Sequence, residues 1–486
     1  MTVGEILAGV RLPSELARLP VAGLDYDSRR IQSGYLFFAF PGAKADGRTF
    51  AEQAIEKGAL AVVSASAAPA GLEERWIEVE HGRRALALAA RRFYKAPDER
   101  LGLTGITGTN GKTTTAFLVD AVLRAAGKTT GLIGTIEYHL AGKVLPSVNT
   151  TPESLDLYRF LDELERAGGS HATLEVSSHA LDLGRVHGMQ FHTAVFTNLT
   201  RDHLDYHRTM EEYFAAKRML FAGAPAPKFA VLNADDPHAW DIYPATETKV
   251  LWYGLDGGAG LRAVDISSTF EGLRFLVHTE EQTFSIESAL VGRMNVYNIL
   301  AACAVGMTYG IDVATIQRGI QGARSVPGRF ERIEEGQPFL VAVDYAHTDD
   351  ALRNAIAVAR GLGPKRIITL FGCGGDRDRT KRPLMGMAAA EGSDYVVLTS
   401  DNPRSEDPLD IMNDAMVGLR RFDTPHVAEP NREKAIRHAI QQAEAGDIVI
   451  LAGKGHEPYQ VLAGGPVPFD DREVARKTLR GFGYHK

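Results

Sequence analysis

Cysteine is scarce in this chain, with two residues in 486. A small secreted fold held by disulfides needs a richer cysteine framework, so the sequence favours a reducing compartment. Long apolar runs are also missing, and none reaches the length that a bilayer requires. The first residues, MTVGEILAGVRLPSEL, lack the basic start and the uninterrupted apolar stretch of a signal peptide. We therefore expect a cytoplasmic protein that does not insert into a membrane.

An excess of positive charge is absent as well. Lysine and arginine number 54 against 61 acidic residues, which gives a formal net charge of −7. Binding to nucleic acid without sequence preference requires a basic surface, so we expect no nucleic-acid partner. The length exceeds what one hydrophobic core supports and predicts roughly two to four domains. Cys303 lies in an apolar helical run and is predicted to be core, whereas Cys373 is predicted to lie in a glycine-rich loop.

The most informative segment is residues 101–115, LGLTGITGTNGKTTT. Its apolar start predicts a buried parallel strand, and the residues from Thr113 to Ala126 predict a helix. A glycine turn between strand and helix directs backbone N–H groups at a phosphate. Lys112 can add its charge to the β- and γ-phosphates of ATP, and the Thr113 hydroxyl can bind Mg²⁺. The general P-loop pattern requires glycine at the position of Ile106. The segment therefore fits a subgroup of P-loop enzymes better than the general pattern.

Two charged residues of the central segment have opposite interpretations from pattern alone. Glu175 follows a predicted strand over Ala172 to Val176, and ligands of doubly wound sheets bind at that end of a strand. A carboxylate there suits Mg²⁺, which prefers oxygen ligands. Lys217 lies inside a predicted helix from Glu211 to Phe221, and pattern alone favours an exposed helix lysine.

The last third of the chain predicts a second α/β sheet. Four apolar strands each run into a charged or glycine-rich loop, and these loops are rich in Arg, Asp and Gly. Because the carboxyl ends of parallel strands share one edge, this density favours a binding site over ordinary connecting loops. The predicted strands are Val341 to Val343, Ile367 to Phe371, Asp394 to Thr399 and Ile448 to Ala452.

Motifs along the chain closely resemble the Mur ligases of peptidoglycan synthesis. They occur in that family's order and cover the central and C-terminal parts almost entirely: TGTNGKTTT, NTTP, LEVSSHAL, FTNLTRDHLDYH, EEYFAAKRMLF, GRMNVYN, VPGRFE, VDYAHT, FGCGGDRDRTKRP, TSDNPR and LAGKGHEPYQ. DSR, from Asp27 to Arg29, and the GAKADGR loop, which includes Lys44, extend the match to the N-terminal region.

The resemblance implies an α/β fold class with three domains. Residues 1–98 would form a small α/β domain that binds the UDP-sugar, and residues 99–326 a central P-loop α/β ATPase domain. Residues 327–486 would form a Rossmann-like α/β domain that binds the incoming amino acid. We further expect a monomer.

The resemblance also implies an ADP-forming amide ligase that uses ATP and Mg²⁺. The D-Glu γ-carboxylate of UDP-MurNAc-L-Ala-D-Glu attacks the γ-phosphate of ATP and becomes an acyl phosphate. The amine of meso-2,6-diaminopimelate then attacks the acyl carbon and releases phosphate. Phosphorylation supplies the leaving group that a free carboxylate lacks, and phosphoryl transfer itself requires positioning and charge neutralisation.

The resemblance assigns roles to particular residues. Those at the ATP phosphates are Gly108, Thr109, Asn110, Gly111, Lys112, Thr113 and Thr114, with Asn295 and Arg329 as further nucleotide contacts. Catalytic roles fall on Lys112, Glu175, His203 and Lys217. Mg²⁺ ligands are Thr113, Glu175, His203 and Lys217, the last as a carbamate formed with CO₂. Carbamylation would turn a cation into an anion, which reverses the interpretation of Lys217 from pattern alone.

The implied substrate contacts fall into two groups. For the UDP-muramoyl dipeptide they are Ser28, Asn149, Thr150, Thr151, Ser177 and Arg185. For the amino acid they are Arg377, Asp401, Asn402, Pro403, Arg404, Gly453 and Glu457. Leu183 stands where many relatives carry glutamine, and Asp349 stands where proline is usual and is expected to be tolerated.

The DNPR motif favours diaminopimelate over lysine as the acceptor. Arg404 can grip the distal carboxylate with its planar pair of donors. Lysine lacks that carboxylate, and the lost contact costs on the order of 2–5 kcal/mol. The lysine-adding version of the ligase is the main alternative. A folylpolyglutamate synthetase is disfavoured by the DSR region, and a non-catalytic nucleotide-binding scaffold by the intact set of catalytic residues.

Overall fold

A computed structural model describes residues 1–42 and 45–485 of the chain, so Lys44 of the predicted polar loop lies outside the described residues. Two compact units are present, Met1–Arg262 with Leu300–Gly319, and Ala263–Ile299 with Ile320–Lys486. Three main sheets carry helices, in agreement with the predicted α/β class. The domain boundaries after residues 98 and 326 stay predictions. None of the described helices is long and apolar enough to cross a membrane.

The N-terminal sheet has four parallel strands in the order β1-β2-β3-β4. Leu36, Phe37 and Phe38 are fully buried, as expected for a parallel strand that is covered on both faces. The strands are β1 (Gly23–Asp25), β2 (Tyr35–Phe38), β3 (Ala61–Ser64) and β4 (Trp76–Glu78). The helices are α1 (Val3–Ile6), α2 (Ser14–Arg18), α3 (Ala51–Glu56) and α4 (Gly82–Phe93).

The central sheet of the first unit has the order β12-β11-β10-β5-β9-β6-β7-β8. Its strands are β5 (Gly102–Thr107), β6 (Thr130–Ile133), β7 (Glu137–Leu140), β8 (Lys143–Pro146), β9 (His171–Glu175), β10 (Thr193–Phe196), β11 (Phe229–Asn233) and β12 (Lys249–Gly254). The helices are α5 (Lys112–Ala125), α6 (Ser154–Arg166), α7 (Ser178–Asp182), α8 (Leu204–His207), α9 (Met210–Ala222) and α10 (Pro237–Ile242). β5 lies between β9 and β10 and is parallel to both, so the three carboxyl ends share one edge.

Three strands that the sequence did not predict follow. They are β13 (Leu261–Thr269), β14 (Gly272–His278) and β15 (Thr283–Ser288), and β14 pairs with β15 in antiparallel fashion. Buried and exposed residues alternate along them, so no continuous apolar run marks them in the sequence. Two helices come next, α11 (Arg293–Thr308) and α12 (Val313–Gly322).

The C-terminal sheet has the order β16-β17-β21-β18-β19-β20, parallel except for β16. Its strands are β16 (Glu331–Ile333), β17 (Leu340–Asp344), β18 (Ile367–Cys373), β19 (Tyr395–Ser400), β20 (His426–Glu429) and β21 (Ile448–Ala452), and a hairpin adds β22 (Tyr459–Leu462) and β23 (Gly465–Pro468). The helices are α13 (Asp349–Gly361), α14 (Lys381–Gly392), α15 (Pro408–Leu419), α16 (Arg432–Gln441) and α17 (Asp471–Gly481). The four strands predicted here are confirmed.

Both cysteines are buried and unpaired. Cys303 is core within α11, as predicted. The loop prediction for Cys373 is wrong, because this residue is the last of β18 and its side chain packs in the core. Burial raises the pKa of each thiol to about 12, which keeps both in the unreactive thiol form.

Asp349 occupies the first position of α13, where proline is favoured because no backbone N–H is needed. Thr348 caps this helix by accepting the N–H of Ala351, and an acidic residue in the first turn is stabilised by the helix dipole. The helix therefore starts normally without the usual proline.

Candidate active site

The glycine turn joins β5 to α5 as the sequence predicts. Gly108 has φ +146°, and a Cβ there would collide with the Thr197 hydroxyl oxygen. Gly111, with φ +87°, immediately precedes α5. Both positions require glycine, so the turn stays tight and its N–H groups lie at a helix N-terminus.

The turn is held by the segment after β10. Asn198 accepts the N–H of Thr109 on its carbonyl and the N–H of Asn110 on its side-chain oxygen, each at 2.9 Å. Thr197 donates to the carbonyl of Asn110 at 2.6 Å. Lys112 Nζ folds back over the turn and donates to the carbonyls of Gly108 and Thr109, both at 2.9 Å.

Glu175 is the last residue of β9 and is buried directly beside the turn. The Thr113 hydroxyl donates to its Oε2 at 2.9 Å. The sequence predicted this juxtaposition, because β9 and β5 are adjacent parallel strands whose carboxyl ends coincide. Two oxygen atoms that suit a hard cation therefore lie side by side at the first turn of α5.

Two residues that position Glu175 were missed by the sequence reasoning. Thr135 donates its N–H to Oε1 at 2.9 Å and its hydroxyl to Oε2 at 3.0 Å. Gly134 leaves the space that the carboxylate occupies, since a Cβ there would collide with Oε1. The available signal was the pair Gly134-Thr135, which follows the apolar end of β6, a strand adjacent to β9.

Lys217 is not the exposed helix lysine that pattern alone favoured. Its side chain on α9 is buried, with 1% of its surface exposed, and Nζ donates to the Gly108 carbonyl at 2.7 Å. The amine also lies 4.3 Å from the centroid of the Tyr213 ring. Burial lowers the pKa of the Lys217 ammonium well below its usual value, and the charge of Lys112 lowers it further.

His203 immediately precedes α8. Its backbone φ is +53° and its ring is partly exposed. Its Nε2 lies 3.5 Å from the carboxylate of Asp202. Desolvation lowers the pKa of His203, against the opposing effect of Asp202, and so favours the neutral ring, which is the form that binds a metal. The His179 ring packs 4.8 Å away, between centroids, and burial lowers its pKa to about 4.

The donor set fits a magnesium ion that is shared with phosphate oxygens. Among the described residues, no group of three or more His, Cys, Asp or Glu side chains could hold a metal alone. Mg²⁺ typically uses one or two carboxylates together with water and substrate phosphates. Glu175 and the Thr113 hydroxyl meet that requirement, and an unprotonated Lys217 amine is the form that reacts with CO₂.

The residues predicted to contact the muramoyl dipeptide lie against the same strand end. The Thr151 hydroxyl donates to the backbone carbonyl of Glu175 at 2.8 Å and accepts the N–H of Ser177 at 3.0 Å. Arg185 Nη1 donates to the Thr151 carbonyl at 2.8 Å. The Thr150 hydroxyl lies 3.1 Å from that of Thr135.

Two other residues of that group are engaged locally. Asn149 donates its N–H to the Tyr138 hydroxyl at 3.0 Å and accepts from it on its carbonyl at 2.6 Å. Ser28 donates to Gln53 Oε1 at 3.0 Å. Ser28 is buried in the N-terminal sheet region and is not brought to the glycine turn by any contact in the described part of the chain.

In the second unit, the residues that were predicted to contact the incoming amino acid lie where β19 and β21 end. Asn402 donates from Nδ2 to Glu457 Oε2 at 3.0 Å and accepts the N–H of Val461 at 2.9 Å. Arg404 donates from Nη1 to the carbonyl of Gly375 at 2.7 Å, which joins the loops after β18 and β19. Gly453 has φ +116° and packs against Asp401.

Lys454 is the residue of this loop cluster that the sequence reasoning missed. It is completely buried, and its ammonium donates to Asn402 Oδ1 at 3.1 Å and Glu457 Oε2 at 3.0 Å. It also lies 3.6 Å from Asp401 Oδ1. The sequence carried no signal for this burial, because a lysine between two glycines after a strand is equally typical of an exposed loop.

Asn295 and Arg329, the remaining predicted nucleotide contacts, line one cavity of about 550 Å³ in the second unit. The Arg329 guanidinium lies 5.1 Å from the centroid of the Tyr345 ring. Arg377 is exposed in the loop after β18. The lining of this cavity carries charges of both signs: Arg274, Arg324, Arg329 and Arg332 together with Glu271, Glu287 and Glu334.

Comparison with known proteins places this geometry in a family. A protein of Solibacter usitatus named UDP-N-acetylmuramoyl-L-alanyl-D-glutamate–2,6-diaminopimelate ligase is 66% identical over an alignment of 492 positions that covers both chains completely. The chain belongs to the Mur ligase family. Three models match it in order: the Mur ligase family catalytic domain at 20–94, the Mur ligase middle domain at 106–306, and the Mur ligase glutamate ligase domain at 328–455.

Other Mur ligases agree over the whole length. A protein of the same name from Geobacillus thermodenitrificans is 46% identical over 97% of this chain and 99% of its own. The solved structure of a protein with that name superposes with a TM-score of 0.74 and 34% identity, over 99% of each chain. The three-domain Mur ligase fold is thus established for this chain.

Proposed function

We propose that this chain is the ATP-dependent ligase that adds meso-2,6-diaminopimelate to the D-Glu γ-carboxylate of UDP-MurNAc-L-Ala-D-Glu. It would act as a cytoplasmic monomer in peptidoglycan synthesis and form ADP and phosphate. The observation that carries the proposal is the full-length 66% identity with a relative of that name. The geometry supports it independently at the glycine turn and at the loops after β18, β19 and β21.

The glycine turn supports the ATP half-reaction. Backbone N–H groups at the start of α5 would bind the phosphates, and Lys112 would leave the carbonyls it now contacts to neutralise them. Bound Mg²⁺ would add charge neutralisation at the transferred phosphoryl group. Thr113 and Glu175 would hold this ion, with His203 as a further ligand.

Lys217 is proposed to act as a carbamate. Its amine is buried, and burial lowers its pKa and so favours the unprotonated form that reacts with CO₂; the resulting carbamate would place an anion beside the turn. A protonated lysine at this depth would add a second positive charge close to Lys112 and repel the metal, and a neutral amine would supply no charge to hold it. The modification therefore reconciles this buried amine with a magnesium site.

The loops of the second unit support an acceptor that carries a distal carboxylate. Asn402, Glu457 and Lys454 form one buried hydrogen-bonded network, and Arg404 lies at its edge with its guanidinium anchored on Gly375. Only Nη1 is engaged by the two backbone carbonyls it contacts, and a guanidinium has further donors for a carboxylate. Diaminopimelate offers that distal carboxylate, whereas lysine does not.

The test is product formation with two acceptors. The purified chain is supplied with MgATP, UDP-MurNAc-L-Ala-D-Glu and either meso-diaminopimelate or L-lysine, while phosphate release and product mass are measured. We expect diaminopimelate to be incorporated with kcat/KM at least about 100-fold above that for lysine. Lysine preferred as acceptor would favour the lysine-adding alternative, and ATP binding without product from either acceptor would favour a non-catalytic scaffold.

A further inference from the structure

Arg83, near the start of α4, reaches from the N-terminal region to the segment after residue 150. Its Nη2 donates to the Pro41 carbonyl at 2.9 Å, and its guanidinium lies 4.3 Å from the centroid of the Phe40 ring. Its Nε lies 3.5 Å from Glu153 Oε1. With 14% of its side chain exposed, Arg83 is held at a junction and is not a freely solvated surface arginine.

Glu153 is shared between two arginines. Its Oε1 also accepts Arg185 Nε at 3.0 Å, while Arg185 Nη1 contacts the carbonyl of Thr151. Two guanidinium charges therefore face one carboxylate, which leaves one net positive charge at this cluster. Among the described residues, the buried atoms Arg83 Nε and Glu153 Oε2 have no hydrogen-bond partner. Each of these atoms can therefore form a further hydrogen bond.

We propose that Arg83 is a positioning residue for the UDP-muramoyl dipeptide and acts through Glu153 on Arg185. While Arg83 shares the carboxylate, Arg185 keeps part of its positive potential for an anionic substrate group. Without Arg83, Glu153 would neutralise Arg185 fully, and the net charge of the cluster would fall to zero. The contact with Pro41 also fixes the start of the loop after β2 against the same segment.

This inference rests on the proposed function, and its test separates the two. Arg83→Met, Arg83→Lys and Arg84→Met are compared for kcat and for the KM of each substrate, and calorimetry measures the Kd of UDP-MurNAc-L-Ala-D-Glu without turnover. Arg84 is the matched control, since it is the adjacent arginine of α4 and is exposed. Thermal melting checks that each variant is folded.

We expect Arg83→Met to raise the KM and Kd for the dipeptide substrate at least about tenfold, the order for a lost charged hydrogen-bond network. The KM values for ATP and diaminopimelate, and kcat at saturation, should change by no more than about twofold. Arg83→Lys should recover part of the loss because it restores the charge but not the planar fork. Arg84→Met should behave as the unaltered chain.

A double-mutant cycle with Glu153→Gln decides whether Arg83 acts through Glu153. The effect of Arg83→Met should shrink in the Glu153→Gln background, because the shared carboxylate charge is already gone. An unchanged dipeptide Kd in folded Arg83→Met, equal increases for all three substrates, or the full effect in the Glu153→Gln background would each overturn the inference. Dipeptide binding that depends on Arg83 in a chain without ligase turnover would instead refute only the proposed function.

Discussion

Lys217→Ala is expected to lower the rate of phosphate release by about 100-fold or more at saturating substrates, the order for removing one electrostatic contributor to a transition state. The variant loses the anionic oxygens that a carbamate would supply beside Gly108. Arg218→Ala is the matched control, because Arg218 is the next residue of α9 and is exposed. Steady-state phosphate release measures both.

Chemical rescue separates the carbamate from an ordinary lysine. Removal of the side chain leaves a space beside the Gly108 carbonyl and the Tyr213 ring, and a small carboxylic acid such as formate or acetate can enter it. We expect these acids to restore part of the Lys217→Ala activity and to have no effect on the unaltered chain. Rescue by methylamine in place of acids would show that the amine itself is required, and full activity without rescue would remove Lys217 from the mechanism.

Arg404→Ala is expected to raise the KM for diaminopimelate by about 30-fold or more, which corresponds to the loss of roughly 2 kcal/mol or more from a buried charged contact. The KM for ATP should stay nearly constant, because Arg404 lies in the amino-acid loops and contacts Gly375 and Asn402. The preference for diaminopimelate over lysine should fall by a similar factor, since lysine has no distal carboxylate to lose.

Two further variants serve as controls for the Arg404→Ala result. Arg404→Lys keeps the charge without the two-pronged geometry, so its KM should lie between those of the other two proteins. Arg420→Ala removes an exposed arginine at the end of α15 and should leave every KM unchanged. Equal increases in the KM for ATP and for diaminopimelate would show that Arg404 supports the fold of the loops and does not select the acceptor.

The sequence predicted the parts of the site that buried parallel strands position. β5, β9, β19 and β21 are buried on both faces, so their apolar residues and the polar residues after them were visible without coordinates. Adjacency in a parallel sheet then brings Thr113 to Glu175. The same reasoning could not find β13 to β15, whose alternating exposure leaves no run to detect.

Burial was the property that pattern could not predict. The sequence pattern predicts a solvated helix residue at Lys217 and a solvated loop residue at Lys454. Both are buried, because residues from distant parts of the chain pack around them. Family resemblance supplied a role for Lys217, whereas Lys454 emerged only from its contacts with Asn402 and Glu457. Thr135 was missed because β6, the strand that it follows, was not predicted.

The central claim is that the D-Glu γ-carboxylate is activated by phosphorylation at this glycine turn. The most direct measurement uses UDP-MurNAc-L-Ala-D-Glu that carries ¹⁸O in both oxygens of that carboxylate. After one round of synthesis with ATP and diaminopimelate, mass spectrometry of the released phosphate should find a single ¹⁸O atom, carried over when the acyl phosphate is cleaved by the amine. Phosphate free of ¹⁸O, formed together with the amide product, would contradict the account.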